Sequence, residues 1–345
     1  MKELAQFCKD LKKDFIPITK DPEKPVRFWS EKDILEDKIV DTFVIIFRTR
    51  GCSWALKSGC SMCGYFNDSM WQDVSNDNLL KQFYTAMNNY SGQKFVKIFT
   101  SGSFLDDKEI NPKVRKEILR TLSVTADKIS IESRPEYVKD KTLKEIKSVI
   151  GLKKFEIGIG LETSSDYVRK NCLNKGFKFD DYKKAANNVK EQNIDLKTYV
   201  LIKPPFLTEK ESIEDAIKTV EMIKNITDCI SFNPTNVQRN TYVNYLWNRG
   251  QYRSAWLFSV VKILKESKKI SKNFRIKCDI VGGGSIRGAH NCKSCDHKFL
   301  DAIAEFSLSQ NLNVFDDLDC ECKEKWLDQL DIEDLGFGSL VNRYG

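Results

Sequence analysis

Cys52, Cys60 and Cys63 form a C-x7-C-x2-C set directly after the apolar run Phe43-Val44-Ile45-Ile46-Phe47 and before Gly64-Tyr65-Phe66-Asn67-Asp68. The order reads as a strand followed by a thiol-bearing loop. In a four-iron cluster each iron takes a thiolate, so three closely spaced cysteines leave one iron open to a small chelating ligand. An incompletely ligated cluster of this kind is reactive. On the loop alone, a structural zinc knuckle or incidental buried thiols fit the same residues. A second set lies near the end of the chain: Cys292-x2-Cys295, then Cys320-x-Cys322 after the helix-like stretch Lys298–Gln310. Two cysteine pairs separated by a helix-sized span suit a tetrahedral four-thiolate zinc site. The C-x-C bite is tight, so His290 or Cys278 could replace one of Cys320 or Cys322.

The elements that must position these residues alternate. Apolar strand-like runs occur at Phe43–Arg50, Phe95–Ser101, Lys128–Ser133, Lys154–Glu162, Leu196–Lys203 and Cys229–Asn233. Helix-like stretches lie between them near Asn78–Tyr90, Lys113–Leu122, Leu143–Ile150, Phe179–Gln192 and Lys210–Ile226. In the last of these, Ile213, Ile217, Val220 and Ile223 form one apolar stripe. This is the pattern of parallel βα units, an α/β fold built as a partial (βα)6 barrel or a doubly wound sheet. Either places its functional loops at the C-terminal ends of the strands. Residues 1–40, with Pro17, Pro22 and Pro25 among many charges, read as an irregular N-terminal lead-in. Residues 41–240 read as the core. Residues 241–345 form a C-terminal extension, with a helical region, a strand-like Phe274–Val281 and the cysteine-bearing tail.

Composition narrows the class. At 345 residues the chain can bury a sizeable core. No apolar stretch approaches 20 residues and Met1-Lys2-Glu3-Leu4 lacks a signal-peptide core, which predicts a soluble cytoplasmic protein with no membrane partner. Eleven cysteines in that compartment read as metal ligands and reduced thiols. The net charge of +7 is compatible with a polyanionic partner such as RNA.

Polar residues follow each strand, as a barrel mouth requires. Ser101-Gly102-Ser103 makes a small turn where backbone can approach a ligand. Glu132-Ser133-Arg134-Pro135-Glu136 and Gly158-Ile159-Gly160-Leu161-Glu162-Thr163 follow the next two strands, Lys175-Gly176 comes soon after, and Lys203-Pro204 ends the fifth. Carboxylates here can hold hydroxyls or an ammonium, and an arginine can bind a carboxylate in bidentate fashion.

The cysteine loop resembles the signature of the radical S-adenosylmethionine (radical SAM) enzymes, expanded by four residues over their common C-x3-C-x2-C spacing. The E-S-R-P-E and G-I-G-L-E elements resemble the branch containing the catalytic subunit of elongator and the methylthiotransferases. Together with Asn233-Pro234-Thr235-Asn236-Val237 and the tail, which carries Ala289 where a proline is frequent, residues 40–325 resemble the archaeosine-biosynthesis radical SAM family, the radical SAM subunit of archaeosine synthase. The resemblance implies a [4Fe-4S] cluster on Cys52, Cys60 and Cys63, with S-adenosylmethionine completing its coordination. It implies cofactor contacts from Met62 near the adenine, Tyr65, Ser101, Gly102 and Ser103 near the methionine amino group, Glu132, Arg134, Glu162 and Lys175. Catalytic roles fall to Glu162, Arg134 and Lys203, the last pointing to the barrel mouth. A structural zinc would be held by Cys292, Cys295, Cys320 and Cys322.

The implied reaction is a lyase-type step in tRNA modification. A separate lysine-transferring subunit of archaeosine synthase loads lysine onto 7-cyano-7-deazaguanine in the tRNA D-loop, and the radical enzyme cleaves the lysine-derived C–N bond to leave archaeosine. Ferredoxin or flavodoxin would supply the electron. For the RNA, Arg249, Tyr252, Arg253 and Trp256 interleave basic and aromatic side chains, and Lys262, Lys265, Lys268, Lys269 and Lys272 add charge. The spacing of Trp256, Val260 and Ile263 equally suits core packing. Two other functions share parts of this pattern: a radical SAM enzyme acting on a small metabolite, and a non-enzymatic zinc-dependent RNA-binding protein.

Overall fold

The computed structural model describes residues 3–13, 20–271 and 273–335, the side chains of the last two excepted. Pro17 and Lys272 lie outside the described residues. Eight strands form one sheet in chain order: β1 Arg27–Leu35, β2 Lys38–Ile46, β3 Phe95–Phe99, β4 Lys128–Ser133, β5 Lys154–Glu162, β6 Asp195–Ile202, β7 Cys229–Pro234 and β8 Arg275–Cys278. β1 runs antiparallel to β2, and every later neighbour is parallel. The result is a partial α/β barrel with helices on its convex face.

The lead-in is not irregular over residues 27–35. Leu35 pairs with Lys38 across a two-residue turn in which Glu36 and Asp37 both have positive φ, 51° and 61°. That is the hairpin geometry usually supplied by Asn-Gly or Asp-Gly. Glu-Asp carries no such signal, and the charges on β1 hide its alternation. β2 likewise starts earlier than expected, at Lys38, and ends at Ile46 before the loop.

Between the strands run helices Asn76–Met87, Pro112–Thr125, Asp140–Ile150, Phe179–Glu191 and Glu209–Ile223. Their starts are encoded locally. Ser75 accepts the Asn78 N–H, Asn111 precedes a proline at the first helical position, and Thr208 and Glu211 form a capping box. Ile213, Val220 and Ile223 are buried as the stripe requires, whereas Ile217 is half-buried. The stretch beyond residue 240 supplies β8 and helices Leu257–Ile270, Asp296–Ser309 and Lys323–Leu335, and its Phe258, Ile263, Phe299 and Trp326 belong to the same hydrophobic core as the strands. No described helix is long and apolar enough to cross a membrane.

Alternation along the strands separates two faces. Ile98, Ile129, Ile157 and Ile230 face the helices, while Lys97, Lys128, Glu156, Lys197 and Lys277 form a charged layer at the N-terminal ends of the strands. Lys128 and Lys197 each sit 2.8 Å from Glu156, and Asp33 of β1 pairs with Lys97 at 2.5 Å and Lys277 at 2.7 Å. Asp33 thereby ties the first strand to the last. Burial alone would raise its pKa, but the two ammoniums hold it far below the usual carboxylate range. A cavity of about 190 Å³ lies at this base, lined by Asp33, Glu156, Lys197 and Lys277. The cysteine loop is at the opposite end.

Candidate metal centre and barrel mouth

The spacer between Cys52 and Cys60 folds as a short helix, Ser53–Lys57, and serves as a shelf for the chain that follows β5. Trp54 Nε1 donates to Asn174 O at 2.7 Å, Ser61 N to Leu173 O at 2.9 Å, and Ser61 Oγ to Cys172 O at 2.7 Å. Asn174, left-handed at φ 52°, returns its Nδ2 to Gly59 O at 2.7 Å. Gly176 lies under the indole, and a Cβ there would come 2.6 Å from the Trp54 ring. Residues Arg169–Leu173 form a single π-helical turn, the irregularity that exposes these carbonyls to the loop. The four extra residues of the spacer thus brace the segment carrying Lys175.

From the N-terminal side, Lys12 donates to Ala55 O at 3.1 Å and to Ser58 O, and its ammonium lies 5.1 Å from the Phe66 ring centroid. Burial lowers its pKa, with the nearby thiols of Cys8, Cys60, Cys63 and Cys52 opposing. The Cys52 thiol is pushed up by burial, and that of Cys63 to about 12. Thiolates at these positions need a positive partner, which a bound metal cluster supplies.

The Ser101–Ser103 turn packs directly on the loop. A Cβ at Gly102 would fall 2.6 Å from Cys52 Cα, so the close approach demands glycine. The Gly102 and Ser103 N–H groups both donate to Glu109, at 3.1 and 2.6 Å, and Thr49 Oγ1 donates to the same carboxylate at 2.6 Å. Glu109 is buried, which raises its pKa to about 7 against those hydrogen bonds. It lies beyond the turn in no recognisable motif, and the sequence reading missed it along with Lys12. Ser101 Oγ accepts from Ser69 at 2.9 Å, and Ser103 Oγ accepts the Arg134 N–H at 2.9 Å.

Glu162 ends β5 at φ 69°, beside a register shift between Gly160 and Glu162. A bulge at a barrel rim re-aims a side chain, and here the surroundings hold it. Thr163 Oγ1 donates to Asp215 at 2.8 Å, and the fully buried Arg169 donates to Leu161 O and Thr163 O. Glu162 pairs with Lys175 across Gly160, where a Cβ would lie 2.7 Å from the ammonium. Burial would lower the Lys175 pKa, but Glu162 and then Cys60 hold it above its ordinary value. Glu132 is hydrogen-bonded to Tyr199 and its pKa is raised by burial. Arg134 pairs with Glu136 at 2.6 Å, donates to Lys175 O at 2.9 Å and lies 5.6 and 5.4 Å from the Trp54 and Phe177 rings. It also senses the charges of Cys52 and Cys60. Tyr65 is half-exposed on the turn after Cys63, within electrostatic reach of Glu132 and Glu162.

These residues converge on one mouth. Met62 is buried nearby in a small apolar cluster with Leu173, Leu201 and Val243. Lys203 does not join them: its ammonium turns to Glu209 at 3.2 Å and Glu333 at 3.9 Å, on two helices, because the backbone is left-handed there at φ 62°. The expectation that it faces the mouth is not met.

In the tail the sulfur atoms of Cys292, Cys295, Cys320 and Cys322 lie within 4.8 Å of one another, with neighbouring separations of 3.7, 3.7 and 3.8 Å. A tetrahedron with zinc–sulfur bonds of about 2.3 Å has edges of about 3.8 Å. Neither substitute ligand belongs to the group: His290 Nδ1 is bonded to Gly288 O at 2.8 Å, and Cys278 is buried in β8. Asn291 fastens the knuckle to the core, accepting from Leu257 N at 2.9 Å and donating to Cys295 Sγ at 3.5 Å. Of the residues read as an RNA surface, Tyr252 and Trp256 are buried, and Arg253 donates to Ser254 O and His290 O at 2.7 and 2.8 Å. They pack the extension onto the barrel. Arg249 is exposed.

Residues 46–223 match the Radical SAM superfamily. The archaeosine synthase subunit beta of Methanosarcina acetivorans is 39% identical over 324 residues, covering 92% of this chain and 93% of the relative. That of Thermococcus kodakarensis is 36% identical over 306 residues, covering 87% and 94%. Among solved structures, an N-terminally truncated Elp3 of Methanocaldococcus infernus aligns with a TM-score of 0.46 at 15% identity, over 64% of this chain and 57% of that one.

Proposed function

This chain belongs to the radical SAM superfamily and to the family of archaeosine synthase beta subunits, and we propose that it cleaves the lysine-derived C–N bond of lysine-modified 7-cyano-7-deazaguanine in the tRNA D-loop, leaving archaeosine. The observation that carries the reading is the convergence at one barrel mouth of a three-thiol loop with Glu132, Arg134 and the Glu162–Lys175 pair. Cys52, Cys60 and Cys63 would hold a [4Fe-4S] cluster with one iron left for S-adenosylmethionine. Their fit is chemical: three thiols, a glycine at 102 where any side chain would collide with Cys52, and the cations Lys12 and Arg134 to offset thiolate charge. When bound, the cluster and S-adenosylmethionine supply one-electron cleavage of the sulfonium and a carbon radical able to abstract hydrogen from an unactivated C–H bond.

The protein's own residues orient and shield. Lys175 offers an ammonium to a carboxylate, while Glu132 and Glu162 offer carboxylates to an amino group or to ribose hydroxyls. Arg134, clamped between two rings and Glu136, fixes the Lys175 backbone. The Ser53–Lys57 shelf and the Met62 cluster close the loop from behind and restrict water. Cys292, Cys295, Cys320 and Cys322 would hold a structural zinc that locks the tail to the barrel. The companion lysine-transferring subunit would supply the modified tRNA, and a ferredoxin or flavodoxin the electron.

The test is chemical. Reduced, reconstituted protein is incubated with S-adenosylmethionine and lysine-modified tRNA, and the nucleosides are analysed by mass spectrometry. Archaeosine formed without the companion subunit supports the proposal. An unchanged nucleoside under conditions that yield 5′-deoxyadenosine contradicts it.

A further inference from the structure

The chain from Val237 to Arg249 runs along the cysteine loop. Val243 N donates to Ser61 O at 3.1 Å, Asn67 Nδ2 to Arg239 O at 2.9 Å, and Val243 and Leu246 pack on Met62. On the solvent side of this segment stand three arginines. The Arg249 guanidinium lies 3.5 Å from the Tyr245 ring centroid and that of Arg287 lies 4.5 Å from Trp247. Arg239 is exposed, and its charge adds to burial in lowering the pKa of Arg287. The hydrogen bonds of Arg249 and Arg287 go to neutral oxygens: Tyr245 O, Val237 O and Asn244 Oδ1. Among the described residues no carboxylate lies within ion-pair distance of any of the three.

That distinguishes them from the two cations that line the mouth, Lys175 matched by Glu162 and Arg134 matched by Glu136. An uncompensated cluster of like charge costs repulsion unless an anion arrives. The rings restrain two of the guanidiniums, so little side-chain entropy remains to be lost on binding. Tyr245 is itself held by Tyr242, stacked at 5.8 Å, and by the edge of Phe7 at 5.0 Å. Trp247 Nε1 donates to Ile286 O at 3.3 Å, and Ile286 is 52% exposed beside it. Planar phosphate-matching donors bordered by aromatic and aliphatic surface are what a partly unstacked RNA strand requires.

We propose that this rim, centred on Arg239, Arg249 and Arg287 with Trp247 and Ile286, is the surface that receives the tRNA backbone next to the reactive loop. The inference rests on the tRNA reading above and adds the place. It moves the contact away from Tyr252, Arg253 and Trp256, keeps Arg249, and adds Arg239 and Arg287, which belong to no sequence motif.

The experiment measures binding of a labelled tRNA transcript to the reconstituted full chain by fluorescence anisotropy across a salt series. R239Q/R249Q should weaken binding on the order of tenfold to a hundredfold and lower the slope of log affinity against log salt by about two. K141Q/K144Q removes the same charge from helix Asp140–Ile150 and should bind as wild type. R287Q should weaken binding further and R287K restore part of it. Arg287 also braces the Val237 segment, so if R287Q fails to fold, the exposed pair decides the matter. Wild-type protein that binds no tRNA would contradict the function proposed above as well as this surface. Wild-type binding with R239Q/R249Q unchanged, or with K141Q/K144Q equally weakened, overturns the surface alone. Loss of companion-subunit binding with tRNA binding intact would assign the rim to a protein partner and also overturn it.

Discussion

The chain carries two cysteine sites that differ first in the spacing of their sulfurs. In the tail four thiols crowd to 3.7–3.8 Å, the edge of a tetrahedron around one ion. The loop thiols of Cys52, Cys60 and Cys63 are not gathered in that way: among the described residues only the tail forms a group of three or more potential ligand atoms within 4.8 Å. Their spacer is occupied by a helical turn that props Lys175 and Asn174 on one side and receives Lys12 on the other. The tail set has four thiols, with Cys295 and Cys322 buried against the core and Cys292 exposed. The other is open and surrounded by groups suited to a second ligand. Sulfur spacing therefore sets a four-thiol group fit for one tetrahedral ion apart from a three-thiol loop, which cysteine counting could not do.

The largest break in this comparison is expected from the loop. Replacing Cys60 by Ala should reduce 5′-deoxyadenosine formation by more than about a thousandfold, since the whole acceleration depends on the bound cluster. Chromatography of the reduced reaction measures it. Measurable turnover of S-adenosylmethionine by C60A would place the chemistry elsewhere.

Lys175→Met comes next. It strands the buried Glu162 carboxylate, and breaking such a pair from one side costs roughly 3–5 kcal/mol. The apparent KM for S-adenosylmethionine should rise about a hundredfold, whereas K175M/E162Q should recover stability without recovering affinity. Recovery of both would make the pair purely structural.

Cys295→Ala sharpens the other half. Loss of the tail ion should lower the unfolding midpoint by roughly 5–10 °C, while the loop keeps its capacity for iron. A thermal scan beside an iron assay reads both.

The smallest effect concerns the support of Glu162. Burial raises the Asp215 pKa to about 6, opposed by Thr163 and Arg169. An acid raised in the folded state contributes stability that is fully present below its unfolded pKa of about 4 and is lost as pH rises through about 6. D215N should therefore gain on wild type across that window, by on the order of 2–3 kcal/mol, and the difference should be flat above it. Denaturant midpoints at pH 4.5 and 7.5 give the measurement, and parallel curves would contradict the burial argument.

The sequence made parts of this legible because their chemistry is local. Cysteine spacing announced the tail thiol group, and parallel βα alternation announced the barrel. What it hid depends on contacts across the fold. Glu109 and Lys12 act from positions with no motif, and a single lysine in a turn near the N-terminus gives no sign that it will enter a loop some 40 residues away. β1 was masked because a Glu-Asp turn adopted positive φ without glycine or asparagine. Lys203 followed a strand as the others did, yet its left-handed backbone sent the ammonium to Glu209. Tyr252 and Trp256 looked like a nucleic-acid surface because basic and aromatic interleaving is also how an extension packs onto a barrel.

The central claim, two cysteine sites with different metals, meets its most direct test in elemental analysis of anaerobically reconstituted wild type, C52A/C60A/C63A and C292A/C295A. The account predicts about four irons and one zinc per chain in wild type, zinc alone in the first variant and iron alone in the second. Loss of both metals from either variant, or iron retained at full level by C52A/C60A/C63A, would contradict it.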